Sequence, residues 1–129
     1  MPKQQITSKK LRQPSGHFSH ATMVEARGRI VFISGMTSRR ADGTIAGIGD
    51  IEAQTRQVCE NLKAVLEAGG SSLEQVVKVT IYMVDLGELM EMNSVFSRYF
   101  PVEPPARTTF QCVGLVGGAR IEIEAIATV

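Results

Sequence analysis

Three charged residues near the C-terminal end of the sequence are candidates for chemistry. Arg107 opens a predicted strand directly after Pro104 and Pro105. Because the prolines restrict the backbone that leads into it, its guanidinium has the rigid mount that bidentate capture of a carboxylate requires. Glu122 and Glu124 share one face of the final predicted strand, roughly 6.6–6.8 Å apart along it. The alternatives are a structural salt bridge for Arg107 and a solvent-facing position for both carboxylates.

Asn93 is a further candidate, because it interrupts the apolar stripe of a predicted helix. A polar side chain that faces a core needs partners, so Asn93 either bonds a neighbouring loop or belongs to a site. Other patterns are weaker. His17 and His20 have no third ligand cluster, which disfavours a metal site, and Cys59 lies beside an apolar stripe as a core residue would.

Two helices are predicted from hydrophobic periodicity. The first spans residues 51–68, with Asp50 as its N-cap and two glycines directly after it. The second runs from Leu86 to about Phe100, and three prolines follow it. Asp85 and Glu88 have the spacing of a capping box at its start.

Six strands complete the prediction. They are a short strand near the N-terminus, two strands joined by a tight turn within residues 20–34, and strands at 76–84, 107–113 and 119–129. Residues 36–49 indicate a long loop or an irregular hairpin. The order β-β-β-α-β-α-β-β is an α+β layout, with two helices on one face of a mixed six-stranded sheet.

The composition limits the class of protein. The 129 residues fit one domain, residues 1–129, and a net charge of +1 disfavours nucleic-acid binding. No apolar run approaches the ~20 residues that span a membrane. Two cysteines suit a reducing cytosol, so we expect a cytoplasmic protein. Residues 1–24 lack acidic side chains, as transit peptides do, but a short strand and a basic loop explain them better.

The motifs together resemble the Rid (reactive intermediate deaminase) family, also called YjgF. The resemblance extends from about residue 14 to the C-terminus. It depends on residues 32–35, 54–57, 60–62, 77–80, 105–108 and 121–127, and on Asn93. The fifteen-residue step from Arg107 to Glu122 also fits the family.

The resemblance implies a chorismate-mutase-like α+β fold, a homotrimer, and active sites between subunits. It implies hydrolysis of enamines and imines, such as 2-aminoacrylate and 2-iminopropanoate, to 2-oxo acids and ammonia. No cofactor or metal is implied, and the partners are the small imino or enamino acid substrate and the other subunits, without nucleic acid or membrane.

The resemblance also assigns roles to residues of this sequence. Arg107 would hold the substrate carboxylate, and Glu122 would activate the attacking water and serve the departing nitrogen. Ser34, Gly35 and Asn93 would line the pocket. Two further pocket positions, Phe18 and Thr109, depart from the family pattern, where tyrosine and cysteine are common.

These departures leave the substrate open. Residues 37–44 and 107–109 look more like the 2-aminomuconate deaminase branch. If the loop that carries Arg39 and Arg40 folds over the cleft, one guanidinium would meet a second carboxylate; the alternative is that both arginines face water. A non-catalytic trimer that binds carboxylate ligands is a further alternative, but it would not need Glu122. A ribonuclease is disfavoured by the near-neutral charge.

Overall fold

The computed structural model describes residues 3–14, 16–25 and 27–129. Within them the predicted order of strands and helices is confirmed. The elements are β1 (Gln4–Ile6), β2 (Ala21–Met23), β3 (Ile30–Met36), α1 (Ile51–Ala68), β4 (Val76–Met83), α2 (Leu89–Tyr99), β5 (Ala106–Gln111) and β6 (Ile121–Thr128). Short 3₁₀ turns lie at Leu73–Gln75, Leu86–Glu88 and Val116–Gly118.

Four of the strands form a mixed sheet in the order β3-β6-β4-β5, in which β4 and β5 are parallel and the other pairs antiparallel. The predicted α+β class, with two helices and a mixed sheet, is thereby confirmed. The six strands do not form one continuous sheet, however, since β1 and β2 pair separately as an antiparallel ribbon.

The predicted hairpin between β2 and β3 is wrong. β3 pairs instead with β6, over five positions from Ile30–Thr128 to Met36–Ile123. The three-residue β2 could not offer seven-residue β3 a ladder of that length, and pairing with β6 also buries Ile33 against Ala125. Long strands therefore pair with long strands, although they are far apart in sequence.

Helix α1 has the predicted bounds and cap. The Asp50 carboxylate accepts a hydrogen bond from the Ala53 amide at 3.1 Å, and Gly69 ends the helix. One face of α1 is buried, and it includes Val58, Leu62 and Leu66. No helix in the described part of the chain is long and apolar enough to cross a membrane.

The predicted capping box before α2 does not form. The Asp85 carboxylate accepts from the Gly87 amide at 2.8 Å, and a 3₁₀ turn precedes the helix. Glu88 instead accepts a hydrogen bond from Arg120 Nε at 2.7 Å. A charged donor binds a carboxylate more strongly than a backbone amide does, so Glu88 is drawn to Arg120.

The two helices cover one face of the four-stranded sheet. Alternate residues of β4 and β6 are buried beneath them, such as Val79, Ile81, Ile121 and Ile123. The opposite face is open and carries apolar side chains with large exposed fractions, among them Phe32 at 74%. The sheet therefore has a helix-covered face and an open face, and both carry predicted site residues.

Candidate active site in two half-sites

The first group of site residues surrounds Arg107 on the helix-covered face. Arg107 is the parallel partner of buried Val79, which directs its side chain toward α2. Its Nη1 donates to Asn93 Oδ1 at 2.8 Å. Its Cζ lies over two aromatic rings, 5.2 Å from the centroid of Phe96 and 5.5 Å from that of Phe18. We call Phe18, Asn93, Phe96, Arg107 and Thr109 the Arg half-site.

Phe18 is brought to Arg107 by a segment that is fastened to the start of β5. The Ser19 amide donates to Pro105 O at 3.1 Å, and the Ser19 hydroxyl donates to Pro104 O. Gly16 lies close to the guanidinium, since a Cβ there would be 3.1 Å from Arg107 Nη2. The two prolines therefore hold the segment that carries Phe18 as well as orienting β5.

The charge of Arg107 has no acidic partner within salt-bridge distance in the described residues. The structural salt bridge considered from the sequence is therefore absent there, and neutral Asn93 takes its place. Desolvation by burial lowers the pKa of Arg107 to about 10, so the side chain is still charged at neutral pH. Nε and Nη2 have no hydrogen-bond partner in the same residues, which leaves one edge of the guanidinium for an anion.

Thr109 follows Arg107 by two residues on the same face of β5. It is the parallel partner of Ile81, a core residue. Its hydroxyl oxygen is buried and has no hydrogen-bond partner in the residues that the structure describes. A buried hydroxyl without a partner is rare in proteins, and a bound ligand would supply the missing partner.

The second group of site residues lies on the open face. Glu122 is the antiparallel partner of Tyr82, and its side chain points away from the helices. The register of β3 against β6 shifts by one residue between Ile33 and Met36, which makes a bulge at Ser34 and Gly35. A Cβ on Gly35 would lie 2.7 Å from the Glu122 carboxyl carbon, so only glycine leaves the carboxylate in place.

The two glutamates on this face have different surroundings. Glu124 Oε1 accepts a hydrogen bond from the Tyr82 hydroxyl, and this bond is the main reason that the pKa of Tyr82 is raised. The Tyr82 ring packs edge-on against Phe110 at 5.0 Å. The Glu122 carboxylate has no hydrogen-bond partner in the described chain. We call Ser34, Gly35, Tyr82, Glu122 and Glu124 the Glu half-site.

The two half-sites do not meet within one chain. Arg107 is on the helix-covered face of edge strand β5, and Glu122 is on the open face of β6. Strand β4 lies between β5 and β6, which adds about 10 Å of lateral separation. The structure thus brings Phe18, Asn93 and Arg107 together and Gly35 beside Glu122, but keeps the two sets apart.

Two residues of the half-sites are not found by sequence reasoning. The hydrophobic periodicity predicts Phe96 only as a core residue in the apolar stripe of α2. Its spacing of three residues from Asn93 nevertheless places both side chains on one side of the helix. The sequence pattern predicts Tyr82 only as a strand residue. The contact of Tyr82 with Glu124 depends on the pairing of β4 with β6, which no local pattern reveals.

Arg39 and Arg40 lie on the segment that follows β3, which forms an irregular hairpin, one of the two forms that the sequence left open. Arg39 pairs with Ile45, and Asn61 of α1 anchors the loop through the carbonyls of Thr37 and Arg39, both at 2.9 Å. The guanidinium of Arg39 donates to Gly43 O and that of Arg40 donates to Thr44 Oγ1. Both arginines therefore bind their own loop.

The weaker candidates are used in packing. Cys59 is buried as predicted, and burial raises the pKa of its thiol to about 12, so it is not a nucleophile at neutral pH. His17 Nε2 donates to Phe100 O at 2.6 Å. No cluster of three or more metal-ligating side chains is found in residues 3–14, 16–25 and 27–129.

A groove of about 810 Å³ lies away from both half-sites, between the end of α1 and the loop after α2. Its lining mixes basic and acidic side chains, such as Lys3, Arg98 and Glu103, and contains no predicted site residue. Lys3 Nζ is already bonded to Val76 O at 2.6 Å. Arg107 and Glu122, the chemically suited groups, do not line this groove.

The fold and the half-sites define a small α+β protein whose candidate site residues lie on the two faces of one sheet. The model of the family described as Endoribonuclease L-PSP matches residues 8–129. A RutC family protein from Pyrococcus abyssi is 40% identical over 127 residues, which is 98% of each chain. The chloroplastic Reactive Intermediate Deaminase A of Arabidopsis thaliana is 34% identical over 126 residues, 98% of this chain and 66% of the relative.

A solved structure agrees with these sequence comparisons. The crystal structure of YyfB from Yersinia pestis, a protein of unknown function of the conserved Rid family, superimposes with a TM-score of 0.89 at 31% identity and covers 100% of both chains. The chain belongs to the Rid/YjgF family, and the resemblance seen in the sequence is confirmed.

Proposed function

We propose that the protein is a cofactor-independent deaminase. It hydrolyses reactive enamines and imines of the 2-aminoacrylate and 2-iminopropanoate type to 2-oxo acids and ammonia. Membership of a family that includes a named reactive intermediate deaminase supports this proposal. The observation that carries it is Arg107, a charged side chain without an acidic partner in the described residues. Its Nε–Nη2 edge makes no hydrogen bond in those residues and suits the carboxylate that every such substrate carries.

Binding of the substrate uses the Arg half-site. The carboxylate meets the Nε–Nη2 edge of Arg107, and the unpaired hydroxyl of Thr109 donates a further hydrogen bond. Asn93 fixes the guanidinium from the other side, and Phe18 excludes water from one of its faces. The binding energy therefore orients the imine carbon for attack.

The chemistry uses Glu122. An enamine first takes a proton from solvent on its β-carbon, which gives the protonated imine, and the carbon of the C=N bond is then the electrophile. Glu122 removes a proton from water as the water oxygen bonds to the imine carbon, and the C=N electron pair moves to nitrogen. Glu122 then returns the proton to the nitrogen of the amino alcohol. The C–N bond breaks, the carbonyl forms, and the hydroxyl proton leaves with ammonia as ammonium.

We place the active site between the subunits of a homotrimer. Arg107 and Glu122 lie on opposite faces of one sheet, so a complete site needs the Arg half-site of one subunit and the Glu half-site of its neighbour. The open face also exposes Ile30 at 51%, Phe32 at 74% and Phe110 at 42%. Exposed apolar side chains on one face are typical of an interface.

The first experiment measures ammonia release from freshly generated 2-iminopropanoate, its longer homologues and 2-aminomuconate. Turnover of the short imino acids supports the proposal. Turnover of 2-aminomuconate alone would assign the dicarboxylate instead, and would require the loop of Arg39 and Arg40 to rearrange, because both donate within that loop. Binding of 2-oxo acids without any turnover would make the protein a ligand-binding module.

The second experiment tests the composite site. We expect Arg107→Ala and Glu122→Gln proteins each to have little activity alone. The two proteins are unfolded, mixed in equal amounts and refolded. With random assembly, about a quarter of the sites pair an intact Arg half-site with an intact Glu half-site, so about a quarter of wild-type activity returns. A site confined to one chain would recover none. Light scattering checks the mass against three times that of the chain.

A further inference from the structure

Arg107 is held by aromatic rings as well as by Asn93. Its Cζ lies over the rings of Phe18 and Phe96, which belong to two different segments of the chain. A guanidinium over a ring face is attracted by the π system and is screened from water on that side. We call Phe18 and Phe96 the aromatic clamp.

Phe96 is the rigid member of the clamp. It is fully buried, stacks on Phe100 at 4.6 Å with an angle of 27°, and meets the edge of His17 at 6.4 Å. His17 is itself tied to the Phe100 carbonyl. Phe96 also follows Asn93 by three residues, so α2 supplies both the ring and the amide oxygen that contact Arg107.

We propose that Phe96 is a positioning residue that, together with Phe18, holds the Arg107 guanidinium so that its Nε–Nη2 edge meets the substrate carboxylate in one fixed direction. The role as a carboxylate-binding edge rests on the proposed function, whereas the immobilisation of Arg107 does not. A mobile arginine would have to be ordered by each substrate, which weakens binding.

The first test uses no substrate. Nitrogen-15 relaxation of the Arg107 Nε–H reports its motion in the wild type and in Phe96→Met, which removes the ring at similar volume. Phe100→Met is the matched control, because Phe100 is buried in the same stack but does not contact the guanidinium. We expect the order parameter to fall from about 0.85 to below about 0.6 in Phe96→Met and to stay high in the control.

Phe18→Leu provides a second variant outside the core, because Phe18 is only half-buried. It should lower the order parameter of Arg107 without a change in melting temperature. If the order parameter of the Arg107 Nε–H is unchanged in both Phe96→Met and Phe18→Leu, the proposal is wrong. An equal loss in Phe100→Met also overturns it, since the effect would then come from general loosening of the core.

The second test measures pyruvate affinity by calorimetry. It also compares the change in KM with the change in kcat for each variant. Phe96→Met should weaken pyruvate binding and raise KM on the order of tenfold, while kcat changes less, and Phe100→Met should change neither. A Phe96→Met protein with wild-type affinity and KM contradicts the positioning role. If Arg107 loses order but the wild type binds no 2-oxo acid, the clamp is supported and the proposed function fails.

Discussion

The two half-sites differ in how much of their surroundings one chain supplies. Arg107 has an amide partner, two aromatic neighbours and a proline-restricted strand behind it. Glu122 has an adjacent glycine on a bulge and no hydrogen-bond partner in the described residues. The Arg half-site, which we propose binds the substrate, therefore has most of its contacts within one chain. The Glu half-site, which we propose moves protons, leaves the Glu122 carboxylate without a hydrogen-bond partner in the described residues.

This difference has a physical reason. A guanidinium must be oriented to bind a carboxylate bidentately, and orientation requires packing on several sides. A general base must reach both water and substrate nitrogen, and a carboxylate already bonded to protein would do this poorly. Glu124, bonded to Tyr82, shows the restrained state on the same strand.

The largest effect is expected from Glu122→Gln. The amide keeps the size of the side chain but cannot accept a proton from water, so kcat for imine hydrolysis should fall about 10²- to 10⁴-fold. Melting temperature and pyruvate affinity should stay near wild type. Glu124→Gln is the matched control, and the reverse pattern would transfer the catalytic role to Glu124.

Arg107→Lys should have the next largest effect. Lysine keeps the charge but loses the planar fork, and about 2–4 kcal/mol of lost transition-state binding corresponds to roughly 30–1,000-fold in kcat/KM. Arg56→Lys, on the exposed side of α1, controls for arginine replacement in general. Wild-type kcat/KM in the Arg107→Lys protein would show that Arg107 is structural.

Gly35→Ala should reduce activity about tenfold, because the new methyl group occupies space 2.7 Å from the Glu122 carboxyl carbon and displaces the carboxylate. The displaced group is a flexible side-chain end, so the melting temperature should change little. In Gly114→Ala the methyl group meets no atom within 4 Å, and activity should be unaffected. Equal activity of both variants would argue that Glu122 is not used.

The smallest effect concerns pH. Burial lowers the pKa of Arg107 to about 10, and only the charged form binds a carboxylate strongly. Pyruvate affinity should be constant up to about pH 9 and should fall as pH rises, by about fourfold at about pH 10.5. Circular dichroism at each pH controls for unfolding, and an affinity that stays constant to about pH 10.5 would show that burial does not lower the pKa of Arg107 to about 10.

Short-range patterns in the sequence determined much of the fold. Helix α1, its Asp50 cap and the order of elements follow from periodicity and capping, which involve residues only a few positions apart. The capping box before α2 failed because Glu88 found Arg120, 32 residues away. Local sequence patterns predict such a cap correctly unless a distant side chain competes for the same hydrogen-bonding group.

The sequence by itself determined that Pro104 and Pro105 restrict the backbone before Arg107. It also determined that Glu122 and Glu124 share a face, because alternation along a strand has a period of two. Only the tertiary structure decided that Arg107 faces the helices while Glu122 faces away from them. Alternation determines which residues of one strand share a face. The register between strands determines which residues of neighbouring strands lie on the same face of the sheet. That register depends on pairing between β4, β5 and β6, which distant residues set through the shared core.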